Sequence, residues 1–331
     1  MHARELVLSR RPRGRIEPDC FTLAERELPA LSPGQLLVRA HCFSVDPSMI
    51  PRLSVDTYAP AFDLGVAVEA RAVGQVVRSA ADGWSEGDWA VCWAGWRDYA
   101  VVDAGAAIPI EPDDSLPPDR WLHVLGVPGL TAYVGMVDVA GIQPGDRVWV
   151  SAAAGAVGSV ASQLAKVRGA ALVIGSTGGA EKARYLIETL GLDAAVDHRA
   201  GDLAGQLRAI APDGIDLYFD NVGGKHLEAA IDLLRVGGRA AICGMISGYG
   251  KPPQPGPGNL AQLIVKRLRL EGFLVLDHLH RMGAFEEEVR PLVRSGALRS
   301  EVTVFDGLDS APRALLSLLD GNKLGKALVR P

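Results

Sequence analysis

The eighteen residues VWVSAAAGAVGSVASQLA, Val148 to Ala165, carry no charge and no proline. A stretch of that kind is a membrane span, a buried helix, or a strand and helix joined by a nucleotide-gripping turn. A span is a poor fit, because alanine, glycine and serine gain little from lipid and Gln163 adds cost. Val148-Trp149-Val150 is β-prone, Ala154–Gly158 reads as a turn, and Val160, Leu164 and Val167 recur at helical spacing. The dinucleotide fingerprint GxGxxG then falls on Ala153, Gly155 and Gly158, with the first glycine replaced by alanine. Gly155 lets the backbone approach a pyrophosphate, and Gly158 permits close contact between helix and strand. The helix N-terminus offers N–H groups and partial positive charge to the phosphates.

The flanks repeat this unit. Apolar strands alternate with helical patterns at Arg147–Ser151 and Ser159–Arg168, then Ala171–Gly175 and Glu181–Leu190. The pattern continues at Asp216–Asp220 and His226–Leu234, and closes with Arg239–Gly244. Alternation of this kind predicts an α/β fold, a Rossmann doubly wound parallel sheet over about residues 119–290. Residues 1–118 read instead as β-rich, with alternating segments Gln35–Ala40 and Ala72–Val77 between turn signals. Ile108–Asp119, with four prolines, reads as a linker. The tail at about 291–331 ends in a short strand suited to rejoin the first domain, and Lys251–Asn259 reads as a mobile loop. Two domains suit a chain of 331 residues.

A net charge of −5 argues against nucleic acid or an anionic membrane as partner. The basic run Arg10–Arg15 reads as a solvated turn. Arg4 and Glu5 interrupt the first ten residues, so no secretory leader is expected. Cys20, Cys42, Cys92 and Cys243 are scattered without paired spacing, which fits reduced thiols in a cytoplasmic protein and no structural zinc lobe.

Cofactor choice rests on the end of the second strand, where an NAD site usually carries an acid for the ribose 2′-hydroxyl. Here Ala171–Ile174 runs into Gly175-Ser176-Thr177-Gly178-Gly179 without one. Lys182 follows, with Glu181 beside it, and an ammonium there suits a 2′-phosphate. The reading is NADP over NAD.

GVPGLTAYVGM (Gly126–Met136), SAAAGAVGSVASQLAK (Ser151–Lys166), YFDNVGG (Tyr218–Gly224) and AICGMISGYG (Ala241–Gly250) occur in that order. With SVDPSM (Ser44–Met49) and LGKALV (Leu324–Val329), they resemble the zinc-independent medium-chain dehydrogenase/reductases. More narrowly, they resemble the prostaglandin reductase and leukotriene B4 dehydrogenase group of NADP-dependent alkenal/one reductases. The resemblance implies a GroES-like first domain, NADP(H) in the cleft between the domains, and a homodimer built on the nucleotide domains. It sets Gly155, Ala156, Val157 and Gly158 along the pyrophosphate, Lys182 and His198 at the 2′-phosphate, and Asn221 near the nicotinamide ribose. Cys243 to Ile246 pass the end of the cofactor, and Ser176, Ser247, Tyr249 and Phe273 join the cofactor-binding set. Asn322 and Lys323 share the place of one further cofactor contact. The family pattern also has an aromatic where Ser48 stands and a tyrosine where His198 stands.

His41 and Cys42 are adjacent and point to opposite faces of a strand, so joint metal ligation is not expected, and a solvated loop accounts for His278 and His280. Without a metal Lewis acid, conjugate reduction is favoured over alcohol oxidation. Hydride would go to the β-carbon of an α,β-unsaturated ketone or aldehyde, with charge building on the carbonyl oxygen. Tyr249 and Tyr58 are the candidate donors, and each has an ordinary packing role as its alternative. Ser48, Met49, Tyr58, Trp96 and Phe273 are the candidate substrate-pocket residues. A quinone oxidoreductase and a non-catalytic NADPH-binding protein are the competing readings.

Overall fold

The computed structural model describes residues 1–252 and 255–331. Pro253 and Gln254, in the segment expected to be a mobile loop, lie outside the described residues. The chain divides into two compact units, Met1–His123 with Val302–Pro331, and Val124–Glu301. Among the described residues no helix is long and apolar enough to cross a membrane.

In the first unit, a hairpin of His2–Leu8 and Phe21–Glu27 accompanies a seven-stranded sheet built around Gln35–Ser44. That strand pairs antiparallel with Ala72–Ser79, with Tyr99–Asp103 and with the C-terminal strand Lys326–Arg330. Its inward face buries Leu36, Val38 and Phe43 completely. The expected linker at Ile108–Asp119 begins instead as a strand, because Ile108–Ile110 pairs with Trp89–Cys92 and buries Ile110.

The second unit holds a six-stranded parallel sheet, whose strands are numbered here within that sheet. They are β1 (Arg147–Val150), β2 (Leu172–Thr177), β3 (Ala194–Asp197), β4 (Ile215–Asp220), β5 (Leu234–Ile242) and β6 (Arg269–Gly272). The spatial order is β3-β2-β1-β4-β5-β6, the doubly wound dinucleotide-binding order. Its helices include α1 (Ala156–Val167), α2 (Ala180–Glu188), α3 (Leu203–Ile210) and α4 (Gly224–Leu233). Under the sheet, Trp149 packs on Tyr218 with ring centroids 4.4 Å apart, and both side chains are fully buried.

Sequence periodicity missed β3, α3 and β6. The first is Ala-Ala-Val-Asp, too short and too small to alternate, and the last is an edge strand with little buried surface. Helix α1 starts at Ala156, four residues before the apolar stripe begins at Val160.

The GVPGLTAYVGM motif has a packing explanation. It forms the helix Val127–Tyr133 running into a π-helical turn, Val134–Val139. A Cβ on Gly135 would stand 2.5 Å from the Phe219 ring and 2.7 Å from that of Phe273. The glycine therefore lets this helix lie directly on two aromatic rings.

Candidate active site

Strand order reverses between β1 and β4, and in open α/β sheets the ligand crevice lies beyond the strand ends at that point. The turn after β1 is built by small residues. Gly155 is the N-cap of α1, and no side chain caps the opening turn. The turn closes with the Gly155 N–H donating to the Ala152 carbonyl at 2.9 Å. A Cβ on Gly158 would sit 2.3 Å from that same carbonyl oxygen, so only glycine lets the helix start this close to the strand. The turn is tight enough to hold Ala152 at φ 47°, in the left-handed region. The alanine that replaces the first fingerprint glycine is accommodated across the sheet. A Cβ on Gly175 of β2 would come within 2.9 Å of the Ala153 methyl, so the missing side chain has moved to the neighbouring strand. Gly155, Ala156, Val157 and Gly158 thus form the N-terminus of α1, and helix N-termini are suited to a pyrophosphate.

Three nitrogen-bearing side chains gather at the end of β2. Ser176 itself is buried, and its hydroxyl accepts from the Trp149 indole at 3.1 Å. Beyond it, a Cβ on Gly178 would meet Arg199 Nε at 2.8 Å and His198 Cε1 at 3.1 Å. Asp197 Oδ1 accepts from the backbone of Gly179 at 2.8 Å and of Arg199 at 2.9 Å, tying the glycine turn to the end of β3. Lys182 enters from α2, where burial and then the Arg199 charge push its ammonium down, against the opposing pull of Glu181. Burial, Arg199 and Lys182 also depress His198, while Asp197 and a hydrogen bond to the Thr177 backbone work the other way. The Arg199 charge thus bears on both Lys182 and His198 at this one place beyond β2.

The end of β4 holds a second network. Asp220 is fully buried, and its Oδ1 accepts from the Tyr218 hydroxyl at 2.7 Å and from the N–H groups of Val222 and Gly223 at 2.8 Å each. Burial raises this carboxyl above its ordinary value despite those donors. Its backbone carbonyl accepts from Cys243 at 2.9 Å and Gly244 at 3.0 Å. Asn221 donates through its side chain to the Ser151 carbonyl at 2.7 Å, bridging the ends of β4 and β1. Past β5, Ser247 Oγ donates to the Val222 carbonyl at 2.6 Å, folding Ile246–Gly248 over the loop after β4. The half-buried Tyr249 places its hydroxyl 3.6 Å from where a Gly244 Cβ would stand. Burial and the Asp220 charge push the Cys243 thiol up to about 12, so it is not a nucleophile at neutral pH. Phe273, beside β6, faces Phe219 edge-on at 6.3 Å and covers Gly135.

The expected residues of the first unit are placed differently. Trp96, read as a pocket wall, has no exposed surface: it lies between Phe21 and Phe43, at 5.5 and 6.1 Å, and fills core. Met49 is buried, and its sulfur accepts from the Asp46 N–H at 3.5 Å, with Ser48 at the head of the same short helix. Tyr58 is 55% exposed. Asn322 follows the left-handed Gly321 that ends the last helix, and Lys323 Nζ donates to the Gly325 carbonyl. His41 is edge-on to Trp89, and Cys42 is buried. His278 and His280 stack on one another at 6.1 Å. Among the described residues, no group of three or more His, Cys, Asp or Glu side chains is arranged to hold a metal ion.

Sequence reading missed Asp220 and His226. Asp220 lies within YFDNVGG, where the resemblance assigns a role only to the asparagine. An acid directly after the apolar run Leu217-Tyr218-Phe219 is the available signal. His226 carried none, since its meaning depends on Trp149 and His198 arriving from other strands.

Residues 4–110 match a family model described as the N-terminal domain of oxidoreductase, and residues 156–293 one described as zinc-binding dehydrogenase. The chain is 37% identical to an NADPH-dependent curcumin reductase of Escherichia coli, over 99% of this chain and 96% of that one. The chain belongs to the zinc-independent medium-chain reductases. Other members of this reductase family among its relatives are a 2-alkenal reductase (NADP(+)-dependent) of Nicotiana tabacum and prostaglandin reductase 1 of Rattus norvegicus. Each is 37% identical, covering 89% and 94% of this chain and 86% and 93% of the relative. The solved structure of CurA from Vibrio vulnificus in complex with NADPH superposes with a TM-score of 0.93. It is 36% identical, over 99% of this chain and 98% of that one.

Proposed function

We propose that this protein is an NADPH-dependent reductase of the carbon–carbon double bond of α,β-unsaturated ketones and aldehydes. The observation that carries the reading is the cluster of Lys182, His198 and Arg199 around Gly178 at the end of β2. A 2′-phosphate placed there meets three nitrogen-bearing side chains, and the adjoining N-terminus of α1 suits the pyrophosphate. The relatives' names, which include a curcumin reductase and a 2-alkenal reductase, support the substrate class.

The bound reduced nicotinamide supplies hydride to the β-carbon of the substrate. The chain's own residues hold and orient the reactants. Asn221 and the Cys243–Ser247 segment, held in place by Asp220, take the nicotinamide end. Tyr249 donates to the carbonyl oxygen as negative charge builds there, and a proton then reaches the α-carbon from solvent. Tyr58 is the competing donor, and Ser48, Met49 and Phe273 are proposed to border the substrate.

A homodimer is the assembly we favour. The edge strand β6 has one unpaired side within its unit, and Leu260, Ile264 and Val265 nearby are 50%, 82% and 63% exposed. Four free cysteines, three of them buried, suit a reducing cytoplasmic setting. Quinone oxidoreductases with solved structures share the fold at 21% identity, which says nothing of the acceptor.

Following NADPH consumption with a panel of enones, enals, quinones and alcohols tests the reading. Turnover confined to conjugated carbonyls supports it, and turnover confined to quinones or alcohols refutes it.

A further inference from the structure

We propose that His198 makes the choice between NADPH and NADH depend on pH, by taking up a proton when the 2′-phosphate binds. The inference rests on the phosphate reading of the Lys182–His198–Arg199 cluster.

The geometry around the ring carries it. His198 opens the short turn after β3, with its Cε1 against the bare Cα of Gly178 and a hydrogen bond to the Thr177 backbone. Its ring also meets His226 of α4 edge-on, with centroids 5.2 Å apart. His226 is 8% exposed, stacks on Trp149 at 6.0 Å, and its Nε2 has no hydrogen-bond partner among the described residues. Burial and His198 push it down to about 4, so it stays neutral across the working range. The charged groups facing His198 are then Arg199 and Asp197 from its own turn and Lys182 from α2. Glu181 is exposed beside Lys182, and Lys225, the neighbour of His226, is also exposed.

In the free protein, burial and the two cations hold the imidazole below its ordinary value, so it is neutral at pH 7. A phosphate dianion brought among these groups reverses the balance. It neutralises Arg199 and Lys182, so the Asp197 carboxylate becomes the uncompensated charge beside the ring, which raises the bound-state value. A group whose value rises on binding strengthens binding at low pH, and that contribution is lost as pH rises through the bound value. Each unit of rise is about tenfold in affinity. NADH lacks the phosphate and has no such linkage. His226 supplies an uncharged face that fixes the ring without competing for the proton.

The test is calorimetric titration of the full-length protein with NADPH and with NADH from pH 5.5 to 8.5, in buffers of different ionisation enthalpy. The wild type should take up a proton with NADPH near pH 7 and none with NADH. Its NADPH preference should fall by about tenfold across the range. The 2′-phosphate itself titrates near pH 6, so His198→Gln, which keeps that contribution, isolates the imidazole. In the variant the excess proton uptake should vanish. Identical proton uptake in wild type and variant overturns the proposal. Should the variant fold poorly, the imidazole titration of His198 in wild type, followed by NMR, decides: a value unmoved by saturating NADPH also overturns it. Failure of the phosphate reading looks different, because Lys182→Ala and Arg199→Ala would then leave NADPH preferred as in wild type.

Discussion

Lys326 Nζ lies 2.6 Å from Asp46 Oδ1 and also donates to the Val45 carbonyl at 2.8 Å, joining the two ends of the first unit's chain across 280 residues. Lys326 is 1% exposed, so its charge has no solvent to fall back on. Burial alone would raise the Asp46 carboxyl. The Lys326 charge and hydrogen bond, with a further bond from the Ser44 hydroxyl, outweigh it and hold the carboxyl below its ordinary value. SVDPSM and LGKALV, distant in sequence, meet in this pair, one supplying the anion and the other the cation.

Replacing Lys326 by methionine keeps the volume and removes the charge. The expected cost is about 3 kcal/mol, since breaking a buried pair strands its partner. Thermal unfolding should shift down by roughly 6–12 °C. The depressed Asp46 contributes stability above the ordinary carboxylate range, which is lost as pH falls through its folded value. The wild-type advantage over Lys326→Met should therefore shrink below about pH 4. Equal melting temperatures at pH 7 would refute the structural role.

Lys182→Ala should raise KM for NADPH by tenfold or more and leave KM for NADH nearly unchanged, because only the phosphorylated cofactor meets that ammonium. Steady-state kinetics with both cofactors decide it. A proportional rise in both would move the residue out of the phosphate site.

Tyr249→Phe keeps the ring and removes the donor. Loss of one preorganised donor to a developing oxyanion costs on the order of 10²-fold in kcat at nearly constant KM. The same substitution at Tyr58 separates the two tyrosines: the larger loss identifies the donor.

Two substitutions probe the cofactor turn. Gly158→Ala puts a methyl 2.3 Å from the Ala152 carbonyl, so the turn must open. Overpacking of that kind costs about 1–3 kcal/mol, and NADPH affinity should fall with it. Ala152→Gly relieves a left-handed alanine and should leave stability unchanged or raise it by up to about 1 kcal/mol. Paired melting and NADPH titration curves check both, and a Gly158→Ala protein with wild-type affinity would contradict the close-packing argument.

The legibility of this chain in its sequence was uneven for physical reasons. Val160 and Leu164 announce α1 because a helix buried on one face repeats its apolar residues, whereas Val167 at its last turn is 44% exposed. The short strand Ala194–Asp197 has no such repeat, so it is recognisable only once β2 is beside it. At the site, glycines and Lys182 could be read locally, since turn geometry and the end of a strand are local properties. Trp96 could not, because whether an aromatic lines a pocket or fills a core depends on Phe21 and Phe43, neither of them its neighbour in sequence. His226 was silent for the same reason: its role arises from Trp149 and His198, delivered by other parts of the sheet.

Enone reduction is tested most directly by tracing the transferred hydrogen. The protein is incubated with an enone and NADPH carrying deuterium at the reactive nicotinamide carbon, and the product is analysed by NMR. Deuterium at the β-carbon of a saturated ketone, with solvent hydrogen at the α-carbon, is the predicted result. Deuterium on the carbinol carbon of an allylic alcohol would contradict the account.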